Sequence, residues 1–133
     1  MKNRGFTWRK RLLSFKYAFR GIWLLISSEH NAWIHCFAAV CVILTGLLVG
    51  LSRGEWFMVI ALIGLVLSAE AVNSAIEALA DVVSPNYHEG IKRTKDLAAG
   101  AVLILAICAA IIGLMIFVPK LLPLFNVSSM NLE

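Results

Sequence analysis

Hydrophobic positions fall into four runs along the chain, and the spacing inside each run differs. Trp8, Leu12, Phe15, Phe19 and Ile22 recur at steps of four, three, four and three, while Arg9, Lys16 and Arg20 fall off that line. That is one face of an α-helix, and it predicts a basic amphipathic surface helix over about 7–24. A helix of this kind lies in the headgroup plane of a membrane; the competing reading is a core helix on the aqueous side. The next three runs are apolar all round and long enough to cross a bilayer, which takes about 20 helical residues. They predict spans over about 31–52, 56–83 and 90–118. The first carries no charge between Glu29 and Arg53. The second is apolar to Ala69, and its helical pattern continues to Val83. Arg53-Gly54-Glu55 reads as a tight turn, and Ser84-Pro85-Asn86-Tyr87-His88 as a loop whose proline stops the preceding helix. The tail, 119–133, contains Pro119 and Pro123 and reads as poorly ordered. No internal repeat is visible. The expected fold is an all-α membrane protein forming one domain over 1–133.

Composition agrees. Of 133 residues, 60% are hydrophobic and 15% charged, with a mean hydropathy of +0.84. Soluble domains are nearer half apolar and a quarter charged, so a water-soluble enzyme and a disordered chain are both excluded. The net charge of +4 is unevenly placed. Lys2, Arg4, Arg9, Lys10, Arg11, Lys16 and Arg20 precede the first span, and Lys92, Arg93 and Lys95 sit at the second loop; only Arg53 and Lys120 lie at the opposite ends. Such a bias marks a membrane flank rather than a nucleic-acid surface, and it predicts a cytoplasmic N-terminus and second loop with the C-terminus outside. The basic segment is too long for a cleavable signal peptide. Trp8, Trp23, Trp33 and Trp56 fall near the predicted interfaces. Cys36, Cys41 and Cys108 lie in apolar runs without a CxxC spacing and read as small hydrophobes.

Carboxylates at membrane depth cost about 2.5–3.5 kcal/mol each on insertion scales, so their placement needs a reason. On the second span, at about 100° per residue, Glu70 and Glu77 lie roughly 20° apart and Asp81 within roughly 40° of both. Asn73 and Ser74 flank the same line. Two carboxylates a turn or two apart suit Mg²⁺, and a third can act as general base. Lys95 and Asp96 stand level with the lower end of the stripe, and lysine beside carboxylates and metal suits phosphate handling. The bland alternative is structural: Lys95 and Arg93 neutralising Glu77 and Asp81. A third class, a small proton- or cation-handling subunit, needs polar groups reaching the far side, and Trp56 to Leu67 offers none. There is no Walker A or GxGxxG sequence.

The block Glu70-Ala-Val-Asn-Ser-Ala-Ile-Glu77-Ala-Leu-Ala-Asp81, followed by Tyr87-His88 and by Thr94-Lys95-Asp96-Leu-Ala-Ala-Gly100-Ala-Val, resembles the signature of the prokaryotic integral-membrane diacylglycerol kinase and undecaprenol kinase family. Ser14-Phe-Lys-Tyr17-Ala-Phe-Arg-Gly21 and Glu29 extend the likeness over roughly residues 12–118. The resemblance implies an ATP- and Mg²⁺-dependent lipid kinase of the bacterial cytoplasmic membrane. It implies a homotrimer of three-span subunits with composite active sites. It implies Glu70 as general base and Asn73 beside it on the lipid hydroxyl, with Glu29 and Glu77 on the metal. Lys95 would contact the phosphates, and Tyr17, His88, Glu89 and Asp96 would line the nucleotide side. Two positions depart: Trp33 stands where many members carry a basic residue, and His35 where some carry a second acid. The surface helix, His35 and the Ala-Ala-Gly-Ala-Val segment look closer to the undecaprenol branch; the alternative is a diacylglycerol kinase proper.

Overall fold

The structure, a computed structural model, describes residues 7–130, with side chains described through Phe125. Lys2 and Arg4 of the basic flank and the last three residues of the tail lie outside the described residues. The described chain is entirely helical: α1 (Trp8–Ser28), α2 (His30–Val49), α3 (Arg53–Val83) and α4 (Glu89–Met130). The last three are long and apolar enough to cross a membrane.

The boundary between α2 and α3 differs from the sequence expectation, and local chemistry explains why. Gly50 has φ +69°, a left-handed conformation that only glycine adopts freely. Its N–H and that of Leu51 both donate to the Gly46 carbonyl, at 3.1 and 3.3 Å, which closes α2 at Val49 rather than at 52. Ser52 then opens α3. Its hydroxyl accepts from the Glu55 N–H at 3.3 Å, and the Glu55 carboxylate accepts from the Ser52 N–H at 2.7 Å. This reciprocal capping satisfies two orphan donors, so Arg53-Gly54-Glu55 is the first turn of α3 and the connection is Gly50–Ser52. Gly46 is packed tightly here: a Cβ on it would meet Leu51 Cδ1 at 2.8 Å and the Trp56 ring at 3.1 Å. Its place in the GLLVG run therefore reflects contact within its own hairpin.

The tail also differs. Residues 119–130 continue α4 instead of lying in poor order, with Pro119 and Pro123 inside the helix. Each proline removes one backbone donor. What anchors this segment is Lys120, whose Nζ lies 3.2 Å from Glu55 Oε2 at the start of α3.

α3 is the central helix, packed against α4 along most of its length and against α2 on another side; α1 touches only α2 and α3. The buried core is thin: Leu25, Ala32, Val59, Val66, Ala80 and Val102. Large apolar side chains such as Phe37, Leu48, Phe57 and Leu103 point outward, the reverse of a soluble protein and the arrangement a lipid environment requires. Trp33 ties α1 to α2, its indole N–H donating to the Ile26 carbonyl at 2.6 Å.

Candidate active site

The polar stripe on α3 is graded. Glu70 is 2% exposed and Asn73 4%, Ser74 and Glu77 are half-buried, and Asp81 is exposed. Helical spacing accounts for the alignment. His35 of α2 and Ala99, Val102 and Ala106 of α4 surround the cavity at Glu70. His35 on α2 faces Glu70, with Nε2 3.8 Å from Oε2. Asn73 Nδ2 donates to Glu77 Oε1 at 3.4 Å. Glu29 sits at the break between α1 and α2, half-buried, its N–H donating to Leu25 and its carbonyl accepting from Trp33.

The remaining residues singled out by sequence form a rim. Lys95 Nζ lies 3.0 Å from Asp81 Oδ1, joining α4 to α3. Asp96 pairs with Lys92 at 2.8 Å on the exposed side of α4. His88 accepts the Gly90 N–H on Nδ1 at 3.1 Å, capping the start of α4, and Glu89 is the first residue of that helix. Tyr17 stands exposed on α1 and lines neither of the two cavities described below. The structure thus brings Glu70, Asn73 and Glu77 together with His35 facing them, sets Lys95 and Asp81 at the end of the same stripe, and leaves Glu29 at the α1–α2 break and Tyr17 exposed on α1. The structural salt-bridge reading accounts for Lys95 and Asp81. It leaves Glu70 and Glu77 unexplained, because among the described residues neither has a lysine or arginine within ion-pair distance.

Two cavities share a wall at this site. One, of about 260 Å³, is lined by Asn31, His35, Glu70 and Asn73 with Ala99, Val102 and Ala106 of α4. The other, of about 240 Å³, is almost wholly apolar and runs between α2, α3 and α4, with Ala38, Val59, Val66, Ala109 and Gly113 among its walls. His35 and Ala106 line both. α1 contributes no lining residue to either cavity.

A model of the prokaryotic diacylglycerol kinase family matches residues 16–117 of this chain. The chain belongs to that family. Its relatives include the undecaprenol kinase of Bacillus subtilis (strain 168), 45% identical over 108 residues, or 81% of this chain and 88% of that protein. The diacylglycerol kinase of Synechocystis sp. is 39% identical over 114 residues, 85% of this chain but 65% of that longer relative. The diacylglycerol kinase of Escherichia coli (strain K12) is 44% identical over 54 residues, 41% of this chain and 44% of that protein. These are lipid phosphotransferases by name, and membership of the kinase family is what makes the acidic stripe a candidate for phosphoryl transfer rather than ion passage.

Kinases of this kind imply Mg²⁺ with their ATP. Among the described residues no three His, Cys, Asp or Glu side chains converge into a metal cage. Magnesium does not need one: it takes one or two carboxylates and completes its shell with waters and substrate phosphates. Glu29 and Glu77 supply hard oxygen donors, and Asn73 Oδ1 is buried with no hydrogen-bond partner. A buried oxygen in that condition calls for a donor or a cation, so the residues present fit the ion. One residue of the site is absent from the set that sequence reasoning assigned. The sequence marked His35 only as a departure from the family pattern, and that departure was the available signal.

Proposed function

We propose that this chain is an ATP-dependent lipid kinase that transfers the γ-phosphoryl group to the primary hydroxyl of a membrane lipid, with undecaprenol preferred over diacylglycerol. The observation that carries the reading is the placement of a buried carboxylate, Glu70, with Asn73 in a cavity that shares the wall of His35 and Ala106 with an apolar one. A lipid whose hydroxyl lies at Glu70 has its hydrocarbon in a slot walled by alanine, valine and glycine. In this mechanism Asn73 orients the hydroxyl and Glu70 takes its proton as the oxygen attacks the γ-phosphorus; ADP departs with the bonding electron pair. Glu29 and Glu77 would hold the metal, which would supply positive charge to offset that of the phosphates. Lys95 leaves Asp81 for the phosphates, and Glu89, His88, Asp96 and Tyr17 border the nucleotide. The assembly in this reading is a homotrimer whose sites are composite, with exposed Tyr17 free to serve a neighbouring subunit's site.

Chemistry at a primary hydroxyl does not choose between lipids, so the preference rests on the slot and on the likeness to the Bacillus relative. Only the first few isoprene units can be gripped, and apolar contacts of that size discriminate by about 1–3 kcal/mol. Labelled MgATP with undecaprenol and with dioleoylglycerol, in the same micelles at equal mole fraction, is expected to give phosphorylated product from both. Catalytic efficiency should be about tenfold higher on the polyprenol. A clear preference for the glyceride reverses the assignment of substrate, and no organic-phase product from either removes the kinase reading.

The same reading places α1 in the headgroup plane of the bacterial cytoplasmic membrane, with the acidic stripe toward the cytoplasm and the end of α4 outside. Its support is the ten-to-two division of Lys and Arg. In a background lacking Cys36, Cys41 and Cys108, an impermeant thiol reagent added to intact cells should label Ser129→Cys and spare Ser84→Cys. The opposite pattern puts the stripe on the side without ATP.

A further inference from the structure

We propose that His35 is the positioning residue for Glu70, holding one carboxylate oxygen so that the other meets the lipid hydroxyl; the inference rests on the lipid-kinase reading above. A glutamate carboxylate turns about a broad terminal torsion, and burial alone does not fix its plane. Glu70 is nearly sealed, with 3% of its side chain exposed, and His35 Nε2 stands 3.8 Å from its Oε2. Among the described residues no lysine or arginine lies within ion-pair distance of Glu70. His35 is thus the one basic side chain at that distance. At 3.8 Å the contact is looser than a hydrogen bond; catalytic contacts of this kind tighten when substrate is bound.

A second, independent observation is where His35 stands. It lines both cavities, in the wall shared by the chamber of Glu70 and Asn73 and the apolar slot. A lipid occupying both places its hydroxyl-bearing carbon beside the imidazole. With Oε2 engaged by Nε2–H, Oε1 is the oxygen left for the substrate. The step balances without any net transfer to or from His35. The hydroxyl proton passes to Glu70, the hydroxyl oxygen bonds to the γ-phosphorus, and the bond from that phosphorus to the β–γ bridging oxygen breaks with its electron pair going to ADP. His35 acts only through Glu70, so the effect belongs in the turnover number and not in nucleotide affinity.

The test uses three substitutions in the purified full-length protein, assayed in micelles containing undecaprenol. The carboxamide nitrogen of glutamine reaches the place of Nε2, whereas that of asparagine reaches only the place of Nδ1, and leucine offers no donor. His35→Leu and His35→Asn are expected to lower kcat about 10²-fold, the scale of a misplacement of about 1 Å at a reacting centre. The KM for MgATP should stay within about twofold, since the altered group does not touch nucleotide. His35→Gln should recover most of the turnover. In a Glu70→Gln background, His35→Leu should add almost no further loss, because both changes disable one unit. Should His35→Leu fail to fold, the contrast between the glutamine and asparagine variants decides alone. Near-normal kcat in the leucine or asparagine variant, a glutamine variant no better than asparagine, or full additivity with Glu70→Gln each overturns the inference while wild-type lipid phosphorylation stands. A wild-type protein inactive on both lipids overturns the inference together with the function it rests on.

Discussion

Replacing Glu70 by glutamine is expected to lower kcat by about 10²–10⁴-fold, the usual contribution of a general base, with little change in the KM for MgATP. The substitution keeps the size of the side chain and its capacity to face His35 and Asn73, so packing around a residue only 2% exposed is preserved. What it removes is the acceptor for the hydroxyl proton. The lipid alkoxide must then form without a positioned base, and the loss falls on the chemical step. Single-turnover measurement with labelled ATP separates this from slow product release. A Glu70→Gln enzyme turning over within about tenfold of wild type would show that the proton leaves by another route. The base would then have to be sought among Glu29 and Glu77.

The second large effect concerns the metal. Dialysis against a chelator is expected to abolish phosphoryl transfer and magnesium to restore it. Glu77→Gln should raise the Mg²⁺ concentration needed for half-maximal rate by about 10–100-fold, the range seen when the groups around a bound metal are disturbed. Glu77 is also tied to Asn73, whose amide donates to its Oε1 at 3.4 Å. Glutamine in its place presents either an oxygen with no charge or a nitrogen that repels the amide donor, so some loss of kcat should accompany the shift. Titration of activity against Mg²⁺ at saturating ATP reads both. An unchanged metal requirement in a folded Glu77→Gln protein assigns Glu77 to orienting Asn73 alone.

Much of this was legible in the sequence, for reasons that can be named residue by residue. The spans follow from apolar runs that nothing but a bilayer or another helix can cover. The stripe follows from the 3.6-residue period, which puts Glu70, Asn73 and Glu77 on one side of α3 without any knowledge of its neighbours. The start of α3 was misplaced because Arg53 and Glu55 look like turn residues. Their helical state depends on the reciprocal bonds between Ser52 and Glu55 and on the left-handed Gly50. The tail was misread because Pro119 and Pro123 disfavour a helix locally, while the contact that anchors the segment, Lys120 to Glu55, joins residues distant in the chain. His35 escaped for the same reason. Its significance lies in a contact with Glu70 on another helix, and no periodicity within α2 announces it.

The pairing of Lys120 with Glu55 also bears on how the protein is made. Synthesis runs from the N-terminus, so α2, the Gly50–Ser52 connection and α3 leave the ribosome as a hairpin while Lys120 is still to be translated. In that interval the Glu55 carboxylate, at the tip of the hairpin, caps Ser52 but lacks its cation. The third span then delivers a lysine to an acid already waiting at the same end. An exposed carboxylate at a hairpin tip resists being drawn back through hydrocarbon, and it holds the partly inserted chain in place until α4 arrives to complete the bundle.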